Sequence, residues 1–515
     1  MRKLTGRLAL AACLAAATAA PAPARAGEPP PGAPAATALI PGSSILLRSY
    51  GRVFKPNPVN TLNNKTLKDN ADADSAAFTP AYRKGELLGL KYNPVTAQYF
   101  LRGPWVNVTD AKESPFLFPA TNGVISSKTG SFPFGRTPDQ FEHVMAYYHI
   151  DTNQRYIQGL GVLNANQRQI LVDPHGGSTR YVANPVGKGY LVFGTAGVDD
   201  AEDADVILHE YAHAIQDNQA PGKYLGATGE AAAMGEGFAD YWAASSTYDQ
   251  SVASGFPAAC IGEWNRAPGC MDRVDGTKKY ADKVGTAQAD GQIWSAALWD
   301  LFQATGDRGA TDTIVLQSHF LVKDLPGSPT FKDGVEALLA ADAALYPADP
   351  HQAQICSVMA ARGIPTDKCG LKVTVTWDDP LVDIDLHLRP PEGAGLLDRD
   401  YSFDCYSAEG HQHPDWGVVG DVSDDPLLRS DCRYTLNPGC HEEQIVLMKP
   451  AAGSYKVYVH YYDHDSWEDR PTTATVQISK DGVALFSGSQ TLTTTIYNDP
   501  ETSDLWLAFT VEVAP

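Results

Sequence analysis

Positive charge is in short supply in this sequence: 40 lysines and arginines face 61 aspartates and glutamates, a formal net charge of -21. Such a surface repels phosphate backbones and anionic lipid headgroups, which argues against nucleic acid as a partner. Past the N-terminus no segment approaches the ~20 continuous apolar residues of a membrane span, so no transmembrane segment is expected. Cysteine is sparse too. There are eight in 515 residues and none forms a CxxC pair, which leaves a cysteine-held zinc or redox centre with little support. No periodic internal repeat occurs. What remains is a globular composition, 43% hydrophobic and 20% charged, in a chain too long for one ordinary core.

The start combines Arg2, Lys3 and Arg7, a Leu/Ala stretch and a small-residue ending at Ala26. This reads as a secretory signal over residues 1–26, and the mature protein is expected to be secreted. The rival reading takes "LAAC" as a lipoprotein box that anchors Cys13 at the cell surface, but its apolar stretch of about six residues is shorter than the usual ~7 to 15. Loss of Cys13 leaves an odd set in a compartment that permits disulfides. Cys260 with Cys270 and Cys356 with Cys369 are plausible local pairs, while Cys405, Cys432 and Cys440 compete for one further bond.

Residues 27–44 form a Pro/Ala-rich spacer. From 45 to about 138, apolar and polar residues alternate between Pro/Asn/Gly breaks, the period-2 signature of strands. The spacing then turns helical: helices are expected over Asp139 to Gly161, Ala204 to Asn218, Glu230 to Ser246, Gly291 to Thr305 and the stretch "DGVEALLAADAAL". Near Gly370 alternation returns and continues to the end. The expectation is an α+β catalytic unit over 45–370, a β-rich lobe and a helical lobe with a cleft between them, followed by an all-β sandwich over 371–515.

The chemistry is concentrated in "DADVILHEYAHAIQDN". Residues four apart share a helix face, so His209 and His213 can aim imidazole nitrogens at one metal ion, with Glu210 one position round as a proton acceptor for water. A catalytic zinc needs three protein ligands and an open fourth position. The best third ligand is Glu236 in "AAAMGEGFADYWAASS", with Glu230 as its rival. Asp240, one turn beyond Glu236, is placed to accept the second N–H of a zinc histidine. An i,i+4 histidine pair can also be an ordinary helix surface, but the preceding "VIL" marks a buried segment, where unpartnered histidines and a glutamate are costly.

At these residues the chain resembles the fungalysin family of secreted zinc metallopeptidases, within the wider thermolysin-like group. The resemblance rests on "HEYAH" with "MGEGFADY", and extends to "VMAYYHIDTNQRYIQGLG", "DGQIWSAALWDL" and "GRVFKPNPV". It implies a thermolysin-like two-lobe fold, Zn²⁺ held by His209, His213 and Glu236, Glu210 as general base and later acid, and Asp240 orienting His209. The implied activity is hydrolysis of internal peptide bonds in protein or peptide substrates. Tyr224 stands where such enzymes often carry an oxyanion-holding tyrosine, though a packed tyrosine is an equally ready reading. Gln288 occupies the position of a histidine common in the family's downstream motif. Glutamine donates a neutral hydrogen bond but carries no positive charge, so turnover is expected to suffer. Asp290 nearby has no donor when ionised. Only about 20 residues separate Ala26 from the first strand, where classical fungalysins carry a long propeptide.

The C-terminal module places Asp383 and Asp385 on one strand face and gathers Asp463, Asp465, Glu468 and Asp469 in a loop, which admits Ca²⁺, though such loops are more often simply solvated. His411, His413 and His464 show no metal spacing. A module of this kind allows a cell-surface or glycan ligand without naming one. The alternatives to an enzyme are therefore a weakly active or inactive peptidase scaffold that binds with a structural zinc, or an adhesin.

Overall fold

The N-terminal alternation does fold as strands. In the computed structural model Ser49–Val53 buries Ser49, Gly51 and Val53. It pairs antiparallel with Arg83–Leu87 and parallel with Ser131–Phe132. A second sheet runs in the order Val106–Val108, Ile170–Gly176, Tyr190–Gly194, Arg180–Val182. Among the described residues its last strand pairs only with Tyr190–Gly194, and its other edge lies toward α3. The structure describes residues 48–109, 125–183, 189–366, 368–391, 403–408, 410–420, 424–432, 439–464, 470–493 and 505–513, without the side chains of 463 and 464. The leader with Cys13, the spacer 27–44, Asp465, Glu468, Asp469 and the side chains of Asp463 and His464 lie outside the described residues.

The helices among the described residues are α1 Pro58–Thr61, α2 Gln140–Gly159, α3 Ala204–Gln219, α4 Gly229–Ser254, α5 Ala287–Thr305, α6 Arg308–Val322, α7 Phe331–Leu345 and α8 Gln352–Ala361. This mixed α+β content agrees with the expected class. Boundaries differ from the sequence reading in informative places. α4 passes Ser246 and stops at Ser254, because the polar tail still buries Thr247 and Ser251 and only Gly255, at φ 73, turns the chain out of the helix. α5 begins at Ala287 and not at Gly291, so Gln288 and Asp290 belong to its first turn.

Three helices, the single turn α1 and the longer α6 and α8, lie outside the sequence expectation. The run "TIVL" in α6 is β-branched, yet packing overrides that preference. Asp307 caps α6 by accepting from Ala310 N at 2.9 Å. Inside α6 the buried Asp312 accepts from Tyr156 on α2 at 2.6 Å, and from Tyr241 and Ser245 on α4, each at 2.8 Å. Three hydroxyls satisfy one buried carboxylate and tie α2, α4 and α6 together.

The contact between α4 and α5 is unusually close. A β-carbon on Gly237 of α4 would lie 2.4 Å from the Gly291 carbonyl oxygen of α5 and 2.8 Å from Trp294 Cβ. Glycine at 237 therefore sets the separation of these helices at the residue next to Glu236.

From Arg48 to Pro515 the chain is one compact unit with two hydrophobic cores. The first includes Cys369 and the second begins at Leu371. Between them Gly370 adopts φ 81, and a β-carbon there would lie 2.2 Å from the Leu447 carbonyl oxygen, so no other residue fits the crossing. The second core is built by a five-stranded sheet (Pro426–Ser430, Glu442–Leu447, Leu371–Trp377, Thr472–Lys480, Val483–Leu492) and a three-stranded one (Val382–Arg389, Gly453–His464, Leu505–Val513). Leu371, Val373, Val375 and Trp377 from the first meet Ile384, Leu386, Leu388, Val457 and Val459 from the second in one cluster.

Disulfides join Cys260 to Cys270 and Cys356 to Cys369, and Cys432 pairs with Cys440. Cys405 is left as a free, buried thiol.

Replacing Gly237 by alanine should lower stability by roughly 1–3 kcal/mol through overpacking, partly offset by the better helix propensity of alanine. The matched change Gly159→Ala, with open space around its β-carbon, should be neutral or mildly stabilising. Thermal unfolding of the two variants beside the parent checks both, and equal midpoints would refute the packing argument.

Candidate metal centre

α3 starts where Asp203, in extended conformation, accepts from Asp205 N at 3.1 Å. Val206, Ile207, Leu208, Ala212 and Ile215 are buried, which fixes the rotation of the helix and turns His209 and His213 to one side. Their rings lie 5.0 Å apart, nearly perpendicular. α4 packs against α3 and brings Glu236 opposite them. Glu236 Oε2 is 3.6 Å from His209 Nε2 and 3.8 Å from His213 Nε2.

These separations are too long for hydrogen bonds and have the length of a coordination edge, since ligands ~2.1 Å from a tetrahedral zinc ion stand about 3.4 Å apart. One ligand atom from each of the three residues lies within 4.8 Å of the others. Two imidazoles and a carboxylate, converging without bonding each other, are a donor set that zinc fits.

Asp240 is buried one turn below Glu236, with Oδ1 3.0 Å from His209 Nδ1. The alignment falls short of a formed hydrogen bond. Glu210 is held differently. Its Oε2 accepts from the backbone N–H of Tyr181 at 2.7 Å. Tyr181 sits in the edge strand Arg180–Val182, so the amide that no neighbouring strand uses fixes this carboxylate.

Electrostatics sorts the group. Burial opposes charge on His209, but its contacts with Asp240 and Glu236 win and hold the imidazole well above its usual range. His213 has no such carboxylate contact at its second nitrogen; burial and then the neighbouring His209 charge press it down to about 4. Burial pushes Glu236 upward, yet the His209 and His213 contacts bring its carboxyl below the ordinary value. Burial raises Glu210, only partly countered by His209 and the Tyr181 amide. Without metal, His209 is thus the proton-rich member and His213 the neutral one.

The remaining candidates sit elsewhere. Glu230 accepts from Lys283, from Tyr280 Oη at 2.8 Å and from Phe331 N at 2.7 Å, so its carboxylate is committed to the start of α7. Tyr224 is buried, with its ring edge-on to His319 at 5.7 Å, and its hydroxyl makes no hydrogen bond to the described residues. Gln288 is exposed in the first turn of α5, likewise with no hydrogen bond among the described residues. Asp290 is buried and accepts from Val284 N at 2.7 Å and Gly285 N at 2.8 Å, a backbone role at the start of α5.

Calcium finds no support among the described residues. Asp385 accepts from Ser407 at 2.7 Å and groups with His387 and His460, imidazoles that a hard calcium ion does not select. The all-oxygen cluster Asp69, Asp72 and Glu202 surrounds the Arg136 guanidinium. Sequence reasoning missed the Tyr181 amide, and no side-chain signal would have found it, because a main-chain donor is brought to Glu210 by strand pairing alone.

No curated protein matches the chain. Residues 134–367, which run from just before α2 to just beyond α8, match the family model described as fungalysin metallopeptidase. Over those residues the chain is similar to the fungalysin metallopeptidases, and His209, His213 and Glu236, whose ligand atoms converge, all fall within the matched stretch.

Proposed function

We propose that the protein is a secreted zinc endopeptidase in which His209, His213 and Glu236 hold the ion, and that a C-terminal β-sandwich over 371–515 tethers or targets it. The observation that carries the reading is the convergence of those three side chains from α3 and α4, with Glu210 beside them on an edge-strand amide. Bound zinc supplies a Lewis acid that polarises a scissile carbonyl and acidifies water. Glu210 takes a proton from the attacking water and returns it to the departing amine, helped by a burial-raised affinity for protons. Asp240 keeps His209 in the tautomer whose Nε2 is free for the metal. The outer edge of Arg180–Val182, whose Tyr181 amide goes to Glu210 and which pairs with no further strand among the described residues, can still offer the Tyr181 carbonyl to an extended peptide lying alongside α3. The excess of acid over base, and the pairing of six cysteines, suit an extracellular protein.

The second reading, a binding protein or adhesin on a peptidase scaffold with a structural zinc, is favoured by one feature. Gln288 stands in the position of a family histidine and is exposed and unbonded, so it offers no positive charge to a developing oxyanion.

Glu210→Gln should retain zinc and fold, yet lose roughly 10²- to 10⁴-fold in casein or peptide hydrolysis. Hydrolysis unchanged in that variant, or absent from the zinc-loaded parent on every protein and peptide tried, defeats the endopeptidase reading. Gln288→His should raise the rate, and a rise from an undetectable baseline would locate the missing group, whereas no gain favours the binding reading. Zinc binding should also release about one proton per ion at pH 6. His209, held above its usual range, is still protonated there, while His213, pressed down to about 4, is already neutral. Calorimetry in two buffers of different ionisation heat measures the proton count, and a value near zero or two contradicts this assignment.

A further inference from the structure

Three other clusters of potential metal ligands occur among the described residues. Asp69, Asp72 and Glu202 already have their cation: Arg136 donates to Glu202 at 2.9–3.1 Å and also to Asp69, beneath the rings of Phe78 and Trp264. In the C-terminal cluster Asp385 is engaged by Ser407. Glu142, His175 and Asp199 differ from both. Among the described residues no lysine or arginine forms an ion pair with Glu142 or Asp199, and neither carboxylate is offered a hydrogen bond.

We propose that Glu142, His175 and Asp199 form a second divalent-cation site, suited to a first-row transition metal such as zinc, which ties the four-stranded sheet to the segment entering α3. Glu142 lies in the first turn of α2, 1% exposed, and both of its carboxylate oxygens are buried without a hydrogen bond. His175 ends the strand Ile170–Gly176, and its Nε2 is likewise buried and unbonded. The two atoms face each other at 3.4 Å. That is longer than an ordinary hydrogen bond and matches the ~3.4 Å coordination edge about a zinc ion, a little shorter than the 3.6 and 3.8 Å between Glu236 and the two histidines of α3. Asp199, immediately before the turn Asp200–Glu202, completes a set whose ligand atoms lie within 4.8 Å of one another.

Charge points the same way. Two carboxylates nearly out of water cost free energy unless a cation joins them. Burial and then Asp72 and Glu142 push the Asp199 carboxyl up to about 7, with the His175 imidazole opposing them. The imidazole of His175, packed against the His143 ring at 5.1 Å, selects a transition metal over calcium or magnesium.

The position gives the ion a structural role for Glu210. From His175 the chain turns through Thr179 to Tyr181, whose amide holds Glu210. From Asp199 it passes to Asp200, which accepts from both Thr179 and Asn265, and then to Asp203, the cap of α3. A cation shared by 142, 175 and 199 clamps the two segments that position that carboxylate.

The test counts metal in the full-length chain. After equilibration with zinc and desalting, elemental analysis should find one ion fewer per chain in His175→Ala, and one fewer in Glu142→Gln, than in the parent. Both variants should keep the ion that His209→Ala loses. Identical zinc content in the parent, His175→Ala and Glu142→Gln overturns the proposal. Should His175→Ala fail to fold by circular dichroism, the near-isosteric Glu142→Gln carries the comparison. Cobalt titration gives a reading that needs neither. His209→Ala should still bind an ion with visible d–d absorption, and its failure to bind cobalt at all refutes the second site while leaving the peptidase reading intact.

Discussion

Two helices must approach closely enough for side chains of both to reach one ion-sized point, and most of the helical region serves that approach. α3 supplies two imidazoles and α4 a carboxylate, so the set exists only at one relative depth and rotation of the pair. The buried face of α3 fixes its rotation. α4 is fixed from behind, where Gly237 lets it seat against Gly291 of α5, and the Asp312 carboxylate bonds Tyr241 and Ser245 to hold the same helix from α6. A side chain at 237 would meet the Gly291 carbonyl oxygen at 2.4 Å, one residue from Glu236. Helix spacing and metal geometry are therefore one constraint, met by the smallest residue in the chain.

Buried charge is the second theme. Arg136 is fully enclosed and carries Glu202 and Asp69, Asp312 is wrapped by hydroxyls, and Asp290 by amides. In each case the structure supplies a partner, as buried polar groups require. Against that background the groups without partners stand out. Glu236 faces His209 and His213 at coordination distance, and Glu142 faces His175 in the same manner. Among the described residues Glu263 also has both carboxylate oxygens buried without a hydrogen bond, but only Glu236 and Glu142 face imidazoles at such a distance in a converging set.

Legibility in the sequence followed the range of each signal. The helix carrying His209 and His213 was readable because an i,i+4 pair and its apolar neighbours lie within one segment. That Glu236 and Asp240 share one helix was readable from the spacing in "GEGFADY", and the pairs Cys260 with Cys270 and Cys356 with Cys369 because the partners are close in sequence. α6 was not, since its β-branched run points the wrong way locally and its helix is held by Asp312 reaching α2 and α4. The length of α4 was misjudged for a related reason: its polar tail looks like a loop, and only Gly255 ends it.

By itself the sequence determined the chemistry available, two imidazoles and carboxylates at helical spacing, an acidic surface and strand-forming ends, because these depend on residue identity and neighbours a few positions away. Tertiary structure alone decided which groups meet. It chose Glu236 over Glu230 by committing Glu230 to Lys283, Tyr280 and Phe331, and it placed an edge-strand amide on Glu210. It also left Cys405 without a bond and brought Glu142, His175 and Asp199 together from three separate segments. Those outcomes turn on distances between elements far apart in the chain, which close packing sets and no local pattern encodes.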